Sequence, residues 1–103
     1  MAAKGAEKLR ELGLKGVDLA GKSYNAGRKV LEKAGFVLVR VTATGRKVFR
    51  HPETGAEVLY DSGKALAPGQ KPHWHIRDRA GGCYDRSGRL VPSDVGAGHI
   101  PAK

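Results

Sequence analysis

The densest run of chemistry-bearing side chains is Lys71-Pro72-His73-Trp74-His75-Ile76-Arg77-Asp78. Its alternation predicts a strand, which sends His73, His75 and Arg77 to one face and Trp74, Ile76 and Asp78 to the other. A strand of this kind buries its apolar back in a core while its polar front lines a cleft. Two imidazoles on that front suit general acid and base work, since an unperturbed histidine changes charge near neutral pH. Arg77 beside them suits phosphate binding and stabilisation of charge developing in a transition state. A third imidazole, His99, sits in the irregular stretch Gly98-His99-Ile100-Pro101 and is placed in the same site. His51 precedes Pro52 in a turn and is the weaker candidate.

Three imidazoles also invite a metal, and His73, His75 and His99 could surround zinc or nickel. A His-x-His spacing is a weak signal by itself. The run lacks the carboxylate-rich cluster of a two-metal nuclease, and its nearest acid, Asp78, points to the opposite strand face. The expected site therefore holds no metal and needs no cofactor. Metal-free cleavage of RNA asks only for a base at the ribose 2′-hydroxyl, an acid at the leaving oxygen and a cation for the phosphorane-like transition state. His73, His75, His99, Arg77 and Lys47 can supply all three.

Lys47 lies in the basic strand Gly45-Arg46-Lys47-Val48-Phe49-Arg50, whose Arg46 and Arg50 share a face. These three cations are expected to bind substrate phosphates or to protect a strand edge with charge. Tyr60-Asp61-Ser62-Gly63 and Tyr84-Asp85-Arg86-Ser87-Gly88 read mainly as strand-to-turn endings, with Tyr84 and Arg86 as further substrate-binding candidates. Cys83 follows two glycines without any activating neighbour in sequence, so a packing role is expected.

The elements that must position these groups change character at residue 36. Residues 1 to 35 read as helical: Ala2, Ala3, Ala6, Leu9 and Leu12 recur at helical steps and stop at Gly13. A glycine-rich connection follows, then a second helix capped by Ser23 and ended by Gly35, with Gly27 tolerable only if another element packs closely there. From Phe36 the period becomes two. Val37, Val39 and Val41 fall on one face of a first strand, Arg46–Arg50 and Ala56–Tyr60 follow as a meander, and Pro72–Asp78 is the fourth strand. Gly81-Gly82 turns the chain so that Cys83–Asp85 can pair back, while Gly96 to Gly98 break the tail, leaving Arg89-Leu90-Val91 as at most a short strand. The expected class is α+β in a single domain, one or two N-terminal helices packed on a four- to five-stranded antiparallel sheet.

Charge fits such a site. The 103 residues carry 19 Lys and Arg against 10 Asp and Glu, a formal +9 at pH 7. The excess falls in every third of the sequence, which argues for a positive field over a folded body and against a detachable basic tail. Polyanions or an acidic protein are the expected partners. With six aromatics in all, phosphate contacts are favoured over broad base stacking. One cysteine excludes an intramolecular disulfide and a four-cysteine zinc site. No apolar run approaches the roughly 20 residues of a membrane helix, and no signal-peptide stretch opens the chain, so export is expected only as part of a larger protein.

In the order Gly45-Arg46-Lys47-Val48-Phe49, Pro52-Glu53-Thr54-Gly55, Lys71-Pro72-His73-Trp74-His75-Ile76, Tyr84-Asp85-Arg86-Ser87-Gly88 and Gly98-His99-Ile100-Pro101, the chain resembles the C-terminal toxin domains of bacterial polymorphic and contact-dependent inhibition systems. The likeness covers roughly residues 22 to 103. It implies a small basic ribonuclease of the barnase, EndoU, colicin and RelE-like group, acting on RNA such as tRNA or rRNA without metal. It also implies export as the end of a larger bacterial protein, action in the target-cell cytoplasm, and an acidic immunity protein that covers the cleft. A shorter stretch, Leu31-Glu32-Lys33-Ala34-Gly35-Phe36-Val37-Leu38-Val39-Arg40 through Phe49-Arg50-His51-Pro52, is similar to the start of HicA-type mRNA interferases, which would make His51 the histidine of interest. The rival classes are a non-catalytic nucleic-acid-binding module, for which charge and sheet suffice, and a metal-dependent DNA nuclease.

Overall fold

A computed structural model describes residues 3–92 and 98–103, so the helical position at Ala2 and the break at Gly96 lie outside the described residues. Among the described residues the architecture is α+β: two α-helices and an open antiparallel sheet of seven strands. Helix α1 (Ala3–Leu12) ends where Gly13 takes a positive φ of 90°, as its sequence pattern requires. Helix α2 (Tyr24–Lys33) starts at Ser23, whose hydroxyl accepts the Ala26 N–H. The strands are β1 (Val37–Val41), β2 (Lys47–Arg50), β3 (Glu57–Asp61), β4 (His73–Arg77), β5 (Cys83–Tyr84), β6 (Leu90–Val91) and β7 (Ile100–Pro101).

Four or five strands understates the sheet. The two strands missed or left doubtful, β6 and β7, are two residues long, too short for any alternation to register. Strand β1 departs from expectation in another way. It is the sheet edge, all five of its residues are exposed, and a register shift between Leu38 and Arg40 breaks the Val37, Val39, Val41 face. A bulge and a charged residue on an edge hinder pairing with another chain.

Strand β4 organises the rest. Along one edge it pairs with β3 over its whole length, from Glu57 opposite Arg77 to Asp61 opposite His73. Its other edge is divided: β7 takes His73 and Trp74, and β5 takes Ile76 and Arg77. Helices α1 and α2 both pack on the same face of the sheet, where Leu12, Leu31, Phe49, Val58, Tyr60, Trp74, Ile76 and Ile100 form the core. Trp74 is its centre, ringed by Tyr60 and Tyr24, with its indole N–H donating to the Lys22 carbonyl. The C-terminus is tied to the same region by the Gly21 N–H to Pro101 carbonyl and Lys103 N–H to Lys22 carbonyl bonds.

Gly27, costly inside a helix, is explained by this core. A Cβ there would overlap the six-membered ring of Trp74, so the missing side chain lets α2 lie flat on the indole. Gly27→Ala should therefore destabilise the protein by about 1 kcal/mol, because overpacking costing about 2 kcal/mol outweighs the gain of about 1 kcal/mol in helix propensity. Urea unfolding followed by tryptophan fluorescence checks this; equal or greater stability of the variant would contradict it.

Candidate active site

Strand register fixes which side chains meet on the helix-free face. Lys47 pairs with Tyr60 and Asp61 with His73, so one residue before β2 begins, Arg46 falls opposite Asp61. A row Arg46, Asp61, His73 thus crosses three strands. The next row runs Val48, Leu59, His75, and since Trp74 pairs with Ile100, His99 falls opposite His75. A third row carries Arg50, Glu57, Arg77 and Cys83.

The three imidazoles converge. Ring centroids are 4.7 Å apart for His73 and His75, 4.6 Å for His73 and His99, and 4.9 Å for His75 and His99. His73 and His75 are buried and His99 is half-buried. Beneath them lies Asp61, 2% exposed, with Oδ2 3.4 Å from His73 Nε2 and 3.3 Å from His75 Nε2. Arg46 grips the same carboxylate with two bonds, Nε to Oδ1 at 2.6 Å and one terminal nitrogen to Oδ2 at 2.8 Å. Burial by itself would raise the Asp61 carboxyl, but hydrogen bonds from His75 and Arg46, with the Arg46 charge, outweigh it and hold the group ionised, well below the usual carboxylate range.

One tautomer follows from geometry. His73 Nδ1 lies 2.7 Å from the Lys71 carbonyl, which can only accept, so Nδ1 carries a proton. In the neutral ring Nε2 then holds a lone pair beside the Asp61 oxygen, two acceptors that a shared proton or cation would reconcile. The buried side chains of Val48 and Leu59 pave this face next to the cluster, which weakens dielectric screening there. Two hollows lie at opposite ends of β4: one of about 290 Å³ walled by Lys71, His73, His99 and Pro101, and one of about 460 Å³ walled by Arg50, Glu57, Arg77 and Arg79.

Of the residues singled out in sequence, His73, His75 and His99 come together, with Arg46 reaching them through Asp61. Arg77 and Arg50 share their face one row away. Arg50 is paired to Glu57 at 2.7 Å, whereas the half-buried Arg77 guanidinium has no acidic partner among the described residues. Lys47 and Tyr84 lie on the other face. The Lys47 ammonium sits over the Tyr24 ring, 4.8 Å from its centroid, and the Tyr84 hydroxyl donates to Asp78 at 2.6 Å. Arg86 is exposed and paired with Asp18. His51 lies apart from this cluster: its Nδ1 accepts the N–H groups of Glu53 and Thr54, and its ring packs edge-on to Phe36.

Asp61 is the member of the cluster that the sequence did not single out, because it stands at a strand end where Asp and Ser are ordinary turn formers. Its signal was present only in the pairing of β3 with β4, which puts the acid opposite His73. The chain matches no family model, no curated protein and no solved structure.

Asp61→Ala should cost about 3 kcal/mol, the usual consequence of removing one member of a buried ion pair. Equilibrium urea unfolding measures it, and a loss below about 1 kcal/mol would place the pair among surface ion pairs instead.

Proposed function

We propose that this domain is a metal-independent endoribonuclease that cleaves RNA by transesterification to a 2′,3′-cyclic phosphate. The observation that carries the reading is the convergence of His73, His75 and His99 over the Asp61–Arg46 pair, on the helix-free face of a +9 protein. The reaction moves two protons. One leaves the ribose 2′-hydroxyl as it attacks the adjacent phosphorus, and one reaches the departing 5′ oxygen, so a base and an acid must lie within a few ångströms of one phosphate. Three imidazoles within 5 Å of one another meet that demand without a metal or a protein nucleophile. Asp61 balances the positive charge that a histidine acquires as base, and Arg46 keeps the carboxylate in place and ionised.

Substrate approaches from the His99 side, the more exposed edge of the cluster, where the hollow beside Lys71 and Pro101 can receive a nucleoside. Arg77, two residues along β4 from His75 and without an acidic partner among the described residues, binds a neighbouring phosphate. Arg50 and Arg79 border the second hollow, at the Arg77 end of β4. Positive charge over the whole body draws the polyanion in.

The class of protein is a bacterial toxin domain of the polymorphic and contact-dependent inhibition kind, a reading supported by the ordered motifs that end in Gly98-His99-Ile100-Pro101. On that reading it is delivered at the end of a larger protein, works in the target-cell cytoplasm, and is neutralised by an acidic immunity protein. No helix of the described residues is long and apolar enough to cross a membrane.

Purified protein should degrade RNA in EDTA and leave 2′,3′-cyclic phosphate ends. His73→Ala and His75→Ala should each lower the rate by about 10² to 10⁴; a double variant with full activity rules the cluster out as the site. Arg77→Ala should weaken RNA binding and reduce the slope of log affinity against log salt by about 1, read by fluorescence anisotropy; an unchanged slope would exclude a phosphate contact there. Salt-sensitive binding without any turnover would instead favour the binding-module reading.

A further inference from the structure

We infer that His73, His75 and His99, with Asp61 as a fourth ligand, form a binding site for one Zn²⁺, and that zinc seated there blocks the ribonuclease. The binding half stands on geometry alone, while the inhibitory half rests on the proposed metal-free reaction.

Ligand atoms of the three histidines all lie within 4.8 Å of one another. Four ligands at zinc bond lengths of about 2.0–2.1 Å stand roughly 3.3–3.4 Å apart at the corners of a tetrahedron. Asp61 Oδ2 is already 3.4 Å from His73 Nε2 and 3.3 Å from His75 Nε2, so two edges of that tetrahedron are in place. The widest histidine separation must close by roughly 1.4 Å to reach zinc geometry, and His99, half-buried just ahead of the two-residue strand β7, is the side chain best able to swing in.

Supporting contacts fit a metal as well as they fit a proton. The His73 Nδ1–H to Lys71 carbonyl bond turns Nε2 inward as a lone-pair donor, the arrangement that orients metal-bound histidines. Arg46 fixes the carboxylate from the far side while leaving Oδ2 a second lone pair. An imidazole-rich set with one carboxylate selects zinc, nickel or copper and disfavours magnesium, which asks for six oxygens. The site is therefore poor for a two-magnesium nuclease and well made for one borderline-soft ion. Because the metal takes the nitrogen lone pairs that the reaction uses to carry protons, one site cannot do both at once.

The test uses the full chain stripped with EDTA and desalted. Zn²⁺ is titrated in competition with a chromophoric chelator, and Co²⁺ in a parallel sample reports geometry through its visible d–d absorption. We expect one equivalent bound, a tetrahedral Co²⁺ spectrum, and at least a tenfold loss of affinity in His99→Ala, with circular dichroism confirming that the variant is folded. RNA cleavage, measured in the same samples, should be full in EDTA, fall to background at stoichiometric Zn²⁺, and return on adding chelator. Absence of saturable binding, or an octahedral spectrum, overturns the site whatever the activity shows. Binding that leaves cleavage unchanged overturns the inhibition. Cleavage that appears only with Zn²⁺ overturns the inhibition together with the metal-free reaction, and leaves the four ligands standing.

Discussion

A carboxylate that is 2% exposed cannot remain ionised without compensation, and the sheet is organised around providing it for Asp61. Arg46 comes from the loop entering β2, the acid from the end of β3, two imidazoles from β4 and a third from the approach to β7. Each arrives through antiparallel register, so a slip by one residue at any of these pairings would carry a charged or titratable group to the helix-covered face. The ion pair and the fold therefore specify one another. Arg46 keeps about 30% of its side chain in contact with solvent, which spares the pair the full desolvation penalty of two buried ions while the acid itself stays dry.

Much of this was legible in the residues. The alternation through His73 to Arg77 correctly separates the core-facing Trp74 and Ile76 from the histidines, because a strand buried on one side and polar on the other writes its faces directly into sequence. Ser23 as a cap, Gly13 as a stop and Gly27 as a contact point were equally plain, being local or steric signals. What escaped depended on pairing between distant strands. Asp61 looks like a turn residue until β3 is laid against β4, and Lys47 looks like its neighbours Arg46 and Arg50 until period two sends it to the Tyr24 side. The valines of β1 advertise a buried strand, yet Val37 and Val41 are 52% and 55% exposed, because the sheet ends there and a bulge interrupts their face.

The same sheet divides labour between its faces. Helices α1 and α2 and the aromatic rings on one side supply the apolar burial that holds the strands together, while the other side carries Arg46, Arg50, Arg77 and the histidines. Arg77 is the clearest product of that division: Glu57 stands opposite it in the pairing but is taken by Arg50, so a guanidinium on the histidine face has no acidic partner among the described residues.

The divided edge of β4 has a consequence for when the cluster comes into being. Its third imidazole stands just ahead of β7, and that strand is anchored by a bond between Gly21 and Pro101, 80 residues apart in sequence. Contacts of such long sequence separation form late, since loop closure must be completed before they contribute. A partly unfolded molecule therefore carries His73 and His75 without their third member, and the imidazole cluster is complete only once residues 99 to 101 have docked on β4.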